Sequence, residues 1–172
     1  MIQADHLTKR YGNILAVDDL SFRVQPGEIL GFLGPNGAGK STTLRILSGY
    51  LPPTSGTARI QGMDLTEQSL AARKCIGYLP ENFVAPPELR VGEYLRFRAK
   101  LKGLSSKKAK IRTLELSEAL GLQLRLKQSF SALSKGFRQR VGLADSLIAD
   151  PPALLLDEPF GGLDPLQRHE FR

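Results

Sequence analysis

A glycine-rich segment of the chain has the residue types of a phosphate-binding loop. It fits the pattern G-x-x-x-x-G-K-[ST] and consists of Gly34, Pro35, Asn36, Gly37, Ala38, Gly39, Lys40 and Ser41. Glycines let successive backbone N–H groups turn toward one phosphate, and a helix that starts at the loop points its positive end at the same group. Lys40 would reach the β- and γ-phosphates, and the Ser41 hydroxyl would ligate Mg²⁺. The alternative interpretation is a flexible glycine-rich turn.

Two adjacent carboxylates, Asp157 and Glu158, follow the apolar run 153–156. In an open α/β sheet, ligands bind at the carboxyl ends of the strands. An Asp at such an end can hold Mg²⁺, and a second carboxylate beside it can orient and deprotonate an attacking water. An apolar run followed by acidic residues also occurs where a strand simply ends. In combination with the phosphate loop, however, the pair predicts a Mg²⁺–nucleotide site.

A second anion-binding helix terminus is indicated by Ser134-Lys135-Gly136, a turn that opens the helix predicted over 136–149. One nucleotide rarely needs two such termini from one chain, so this one is predicted to serve a nucleotide held by another copy. The alternative interpretation is an ordinary helix N-terminus with Ser134 as its cap.

With these motifs, the sequence resembles the ATP-binding cassette of ABC transporters over essentially its whole length. The segments stand in the family's order: 34–42 resembles the Walker A loop, 133–139 the LSGGQ signature, 154–159 the Walker B strand with its catalytic glutamate, and 162–164 the D-loop. The resemblance implies ATP as the nucleotide and adds Thr42 to the phosphate site. Tyr11 stands where the family places an aromatic that stacks on adenine; the alternative is a surface tyrosine packing on its own strand.

The sequence departs from the family pattern in three places. Glu81 stands where the Q-loop usually carries Gln; it could still ligate Mg²⁺, and it is typical of drug, antibiotic and gliding-type exporters. In the signature, Lys135 and Phe137 replace Gly and Gln, whereas Ser134 and Gly136 are kept. The chain ends before the position of the family's switch histidine, and His169 is too close to the D-loop to be that residue, so a C-terminally truncated cassette is expected.

The elements that must position these residues alternate between strands and helices, which predicts a parallel or mixed sheet with helices on its faces. Strands are predicted over 2–7, 16–24, 28–33, 57–61, 75–79 and 153–156, and helices over 40–48, 67–74, 91–101, 107–120 and 136–149. The predicted fold class is α/β: a P-loop NTPase with an antiparallel β subdomain, a RecA-like parallel-sheet core and an α-helical subdomain, incomplete at the C-terminus. We expect one domain over 1–172, with 1–85 and 141–172 as catalytic core and β subdomain, and 86–140 as helical subdomain with the signature.

Composition narrows the class of protein further. Hydrophobic residues make up 41% of the 172 residues and charged residues 24%, which indicates a globular chain. No apolar run is long enough for a membrane span, no signal peptide is evident, and Cys75 is the only cysteine, so a cytosolic protein is expected. The segment 90–140 carries 14 basic and three acidic residues, a net charge of +11. This surplus is compatible with an interface near anionic lipid headgroups or with a solvated helix face.

The resemblance implies an ATPase subunit of an exporter that binds ATP and Mg²⁺ and pairs head to tail with a second cassette, as a homodimer or heterodimer. The ATPase subunit would drive a separate membrane-spanning permease subunit, and binding to the permease would hold the ATPase subunit at the inner face of the cell membrane. No nucleic acid is expected as a partner. Two alternatives stay open: a truncated domain that binds ATP without efficient hydrolysis, and a soluble ABC protein that acts on nucleic acid or ribosomes.

Overall fold

Two long strands open the computed structural model, which describes residues 1–159. β1 (Ile2–Tyr11) and β2 (Ile14–Val24) pair antiparallel through a two-residue turn. β3 (Ser55–Ile60) pairs antiparallel with the other edge of β1, and the short β4 (Met63–Asp64) follows it, so the strand order is β2-β1-β3-β4. The sheet buries one apolar face because apolar residues alternate with polar ones along its strands. The fully buried members of this face include Ala4, Leu7, Ala58 and Ile60.

This sheet belongs to the first of two compact units of the chain, Met1–Ile76. The unit also contains α1 (Lys40–Leu47) and α2 (Ser69–Lys74). α1 buries Thr43, Ile46 and Leu47, whose spacing of three and four residues places them on one side of the helix, together with the neighbouring Leu44.

The predicted strand over 28–33 is wrong. This segment contains no regular secondary structure, and the side chains of Ile29 and Leu33 are 99% and 97% exposed. A core strand needs neighbouring strands to pair its backbone groups and helices to cover its faces, and within residues 1–159 no strand pairs with this segment. A short apolar run signals a strand by composition alone, which does not specify whether such neighbours exist.

The second unit starts at Gly77 and holds most of β5 (Ile76–Leu79) together with β6 (Ala153–Leu156), which form a two-stranded parallel sheet. Three helices lie between these strands in the sequence: α3 (Val91–Leu101), α4 (Ser106–Ala119) and α5 (Lys135–Leu147). Their apolar sides meet in one core, whose fully buried members include Val91, Leu95, Ala99, Ala109, Leu122, Val141, Ala144 and Ile148.

The ends of these helices follow capping rules. At the start of α3, the Glu93 side chain accepts a hydrogen bond from the backbone N–H of Arg90, the N-cap residue. Ser105 caps α4 by accepting from the N–H of Lys108. Among the helices of residues 1–159, none combines the length and the hydropathy that crossing a membrane requires.

Candidate nucleotide-binding site

The phosphate loop lies in the first unit and ends where α1 begins. Gly37 and Gly39 adopt left-handed backbone conformations, with φ of 84° and 83°. Gly39 is the N-cap of α1, and a Cβ atom at this position would overlap the carbonyl oxygen of Ala16. Only glycine fits both requirements, so this residue type determines how closely the loop approaches β2.

The Lys40 ammonium group folds back over the loop. Its Nζ donates hydrogen bonds of 2.8 Å to the carbonyl oxygens of Gly34 and Pro35. The cation is therefore held at the head of the loop by two neutral acceptors. Because charged phosphate oxygens are stronger acceptors than carbonyls, a phosphate at this position would attract the same ammonium group.

The N-terminus of α1 is suited to an anion. No side chain caps it, and its first turn contains no acidic residue. Thr43, which is buried, donates from Oγ1 to the carbonyl oxygen of Gly39 and so fixes the first turn. The positive end of the helix dipole thus lies beside the glycine-rich loop and Lys40, which agrees with the predicted phosphate site.

Tyr11 ends β1 and is partly exposed. The Nζ of Lys9 lies 5.3 Å from its ring centroid and also donates 2.7 Å to the carbonyl oxygen of Pro52. One interaction of the ring is therefore a cation–π contact with its own strand, as the surface-tyrosine interpretation describes. Stacking of this ring on adenine stays a prediction.

The acidic residues of the second unit stand at one end of its sheet. The backbone N–H of Asp157 donates 2.9 Å to the carbonyl oxygen of Leu79, the last residue of β5. Glu81 follows β5 by two residues, so both carboxylates come after the carboxyl ends of neighbouring strands. Asp157 is buried, whereas Glu81 and Glu158 are exposed. Oxygen ligands at this end are what Mg²⁺ prefers.

Glu158 has an unusual backbone conformation. Its φ is +48°, in the left-handed region, and it precedes Pro159. A proline restricts the residue before it to extended conformations, and a left-handed non-glycine residue is strained. His6, Asp19, Gln61 and Asp150 are also left-handed, but among these five only Glu158 is a predicted catalytic residue, and its role as the base stays a prediction.

Ser134 caps α5, as the simpler interpretation of this turn states. Its hydroxyl oxygen accepts a hydrogen bond from the N–H of Phe137 at 3.4 Å. Gly136 is buried in the first turn of the helix. The N-cap role and a contact with a nucleotide in another copy are compatible, and the second stays a prediction.

Phe137, which replaces the usual glutamine of the signature, makes cation–π contacts with two arginines. The guanidinium carbon of Arg125 is 4.7 Å from its ring centroid, and that of Arg140 is 5.6 Å away. Arg140 also donates to the carbonyl oxygen of Leu120. These contacts attach the first turn of α5 to the segment that follows α4. The sequence shows the aromatic residue and both cations, but their spacing does not predict the contact.

A buried polar network in the second unit was not predicted from the sequence. Tyr94 and Arg98 of α3 both donate to the carboxylate of Asp145 on α5. Burial, followed by the charge of Asp145, raises the pKa of Tyr94 above its usual range, and burial lowers the pKa of Lys102. The sequence did contain a signal for a buried acidic residue. Asp145 stands four residues after Val141 and three before Ile148, which places it on the apolar side of its helix.

No group of three or more His, Cys, Asp or Glu side chains in the range 1–159 converges to hold a metal ion. Mg²⁺ on a nucleotide needs no such cluster, since it is usually bound by one or two protein oxygens, by phosphates and by water. Ser41 in the first unit, and Glu81 and Asp157 in the second, carry oxygen atoms of the kind that Mg²⁺ prefers, and their joint role in holding one ion stays a prediction. The predicted D-loop, Gly162–Asp164, and His169 lie outside the described residues.

With this geometry established, comparison with known proteins identifies the family. A family model described as ABC transporter matches residues 17–161. The chain belongs to the ABC transporter family. Among curated ABC proteins, it is 45% identical to the probable multidrug ABC transporter ATP-binding protein YbhF of Escherichia coli K12, over 99% of the chain and 30% of that protein.

Two further relatives of the ABC family are resistance or export proteins by name. The linearmycin resistance ATP-binding protein LnrL of Bacillus subtilis is 37% identical over 99% of the chain and 55% of that protein. The Nod factor export ATP-binding protein I of Cupriavidus metallidurans is 41% identical over 98% of the chain and 56% of that protein. The chain thus spans from under a third to just over half of the length of these relatives.

Solved ABC structures confirm the predicted fold class. An ATP-binding subunit of an ABC transporter matches with a TM-score of 0.88 at 34% identity, covering 98% of this chain and 70% of that one. A dimeric bacterial ABC transporter cassette matches with a TM-score of 0.90 at 29% identity, over 99% and 79%. A cassette dimer described as a post-hydrolysis state bound to ADP and phosphate matches with a TM-score of 0.88 at 27% identity, over the same shares.

Proposed function

We propose that this chain is the ATP-binding and hydrolysing part of an ABC exporter that works with a separate membrane-spanning permease. The observation that carries the proposal is the phosphate loop, whose Lys40 ammonium group lies over its carbonyls beside the uncapped start of α1. The names of the relatives, which refer to multidrug transport, linearmycin resistance and Nod factor export, support an export role.

The roles of the residues follow from their chemistry. Lys40 donates to the β- and γ-phosphates of ATP, the loop from Gly34 to Thr42 surrounds them with backbone N–H groups, and Tyr11 stacks on adenine. Ser41, Asp157 and Glu81 hold Mg²⁺, which neutralises charge on the phosphates when it is bound. Glu158 orients a water and accepts its proton as the water attacks the γ-phosphate.

Pairing of two cassettes completes the proposal. Ser134 and Gly136 at the start of α5 bind the γ-phosphate of ATP held by the other copy. The dimeric cassettes among the solved relatives support such pairing. ATP binds the closed pair of cassettes more tightly than the open pair, and this difference in affinity supplies the work that is done on the permease. Binding to the permease keeps the subunit at the membrane as a peripheral protein. The division into a catalytic core and a helical subdomain over 86–140 belongs to the same proposal.

The test is ATP binding by the variant Lys40→Ala, measured by equilibrium dialysis with Mg²⁺. We expect affinity to fall by roughly 100-fold or more, because several charge-assisted hydrogen bonds are lost. Lys127→Ala removes an exposed lysine of the second unit and serves as the charge control, with unchanged affinity. Equal affinity of Lys40→Ala and the unaltered protein would contradict the phosphate-loop assignment.

A further inference from the structure

The tip of the hairpin formed by α3 and α4, defined here as residues 96–111, is strongly basic. The two helices are joined by only four residues, 102–105, so the end of α3 and the start of α4 are close together. No acidic residue occurs between Glu93 and Glu115. The tip therefore carries positive charge that no carboxylate of its own neutralises.

Most of these cations are available to a partner. Arg98 is bound to Asp145, and Lys102 is half-buried. The five others are exposed and form no ion pair with residues 1–159: Arg96, Lys100, Lys107, Lys108 and Lys110. A cluster of this size creates a local positive potential at the tip.

Large apolar side chains are exposed among the same cations. Phe97, Leu101 and Ile111 are 54%, 63% and 46% exposed. Phe97 and Leu101 lie one turn apart on α3, next to Arg96 and Lys100 on the same side of the helix. Exposed aromatic and aliphatic side chains mixed with lysines and arginines are typical of segments that lie in a membrane interface.

We propose that the hairpin tip binds an anionic lipid bilayer directly. The cations match the negative surface potential of such a membrane, and the apolar side chains enter the headgroup region. The apolar residues favour lipid over nucleic acid, since binding to a phosphate backbone uses basic and polar groups and gains little from exposed Leu or Ile. This surface shares no residue with the proposed phosphate site, and the proposal does not depend on nucleotide chemistry.

The experiment is co-sedimentation of the full chain with vesicles of roughly one-third phosphatidylglycerol and two-thirds phosphatidylcholine, compared with vesicles of phosphatidylcholine alone. The triple variant Lys107→Gln, Lys108→Gln, Lys110→Gln removes three tip charges. Its matched control, Arg23→Gln, Lys74→Gln, Lys127→Gln, removes three exposed charges elsewhere and has the same net charge. For the apolar contribution, Leu101→Ser is compared with Leu124→Ser, which alters an exposed leucine outside the tip.

We expect salt-sensitive binding to the anionic vesicles and little binding to the neutral ones. Each basic residue near the surface changes membrane binding by roughly fivefold, so the tip triple should lose about 100-fold and its control far less. Leu101→Ser should weaken binding and Leu124→Ser should not. The proposal would be overturned if the two triple variants lost the same affinity or if the protein bound both vesicle types equally. It would also be overturned if the tip triple weakened binding only to duplex RNA or to an acidic protein. Exposed substitutions of this kind rarely unfold a protein, and circular dichroism checks that they have not.

Discussion

Arg98 on α3 donates from Nε to the Asp145 carboxylate on α5 across 2.7 Å. The Asp145 side chain is only 6% exposed, and its second oxygen accepts from the Tyr94 hydroxyl at 3.2 Å. One carboxylate thus joins α3 to the helix whose first turn contains the signature residues. A buried carboxylate has to be satisfied by such donors, because its removal from water is otherwise unfavourable.

The first prediction concerns Asp145→Asn, which keeps the shape of the side chain and removes its charge. We expect the free energy of unfolding to fall by about 1–3 kcal/mol, since two hydrogen bonds to a charged group are weakened. Arg98 is partly exposed and recovers some hydration, so the loss should be smaller than for a fully buried pair. Urea denaturation measures it. Glu115→Gln, in the more exposed pair with Arg112, is the control and should change stability by less than about 0.5 kcal/mol.

The second prediction is an alkaline loss of stability that depends on Tyr94. Burial and the nearby Asp145 charge raise the pKa of Tyr94, so the folded protein keeps this proton at pH values where the unfolded chain releases it. The stabilising contribution is therefore complete below about pH 10 and is lost as the pH rises, by up to about 1.4 kcal/mol per pH unit. Burial lowers the pKa of Lys102, so the folded protein releases this proton at a lower pH than the unfolded chain does. This group therefore makes the protein more stable as the pH rises, until the pH passes the pKa of Lys102 in the unfolded chain.

Comparison of variants separates the two effects. Tyr94→Phe should flatten the alkaline decline in urea-denaturation stability, and Lys102 should act equally in both proteins. The same substitution at the exposed Tyr50 is the control and should leave the decline unchanged. An identical pH slope for Tyr94→Phe and the unaltered protein would contradict the assignment.

Local signals explain what the sequence could predict. The predicted bounds of α3 match the observed helix, because its apolar residues repeat at helical spacing. The start of α1 at Lys40 was also predicted, since the glycines of the phosphate loop end where helical periodicity begins. The acidic motif was likewise expected directly after a strand over 153–156, and Asp157 follows β6 there.

Features that depend on distant neighbours could not be predicted in the same way. The apolar segment 28–33 would be a strand only if other strands paired with it, and its own composition contains no information about them. The contacts of Phe137 with Arg125 and Arg140 depend on how the chain after α4 returns to α5. Asp145 was visible as an acidic residue on an apolar helix side, but its partners lie about 50 residues earlier in the sequence.

The third prediction separates the two roles of Ser134. Ser134→Ala removes the N-cap of α5 and should lower the free energy of unfolding by about 1 kcal/mol. Ser134→Asp keeps a capping oxygen and should retain stability, but it places a negative charge where the γ-phosphate of the partner copy is proposed to bind. Urea denaturation and ATP-dependent dimerisation measure the two properties. If Ser134→Asp dimerises with ATP as the unaltered protein does, the proposed contact between copies is wrong.

The fourth prediction concerns the strained backbone of Glu158, whose φ is +48° before Pro159. Glu158→Gly and Glu158→Ala both remove the carboxylate, but only glycine adopts this conformation without strain. We therefore expect the glycine variant to be more stable than the alanine variant by about 1 kcal/mol in urea denaturation. Both should bind ATP and fail to hydrolyse it, as should Glu158→Gln, which preserves the size of the side chain.

The two measurements test separate statements about this residue. Equal stability of the glycine and alanine variants would show that the left-handed conformation is not strained in solution. Hydrolysis by any of the three variants at the rate of the unaltered protein would exclude Glu158 as the base. A more stable Glu158→Gly that binds ATP without turnover would instead show that the protein gives up stability at this position for its chemistry, because the residue type that the reaction needs is one that the backbone disfavours.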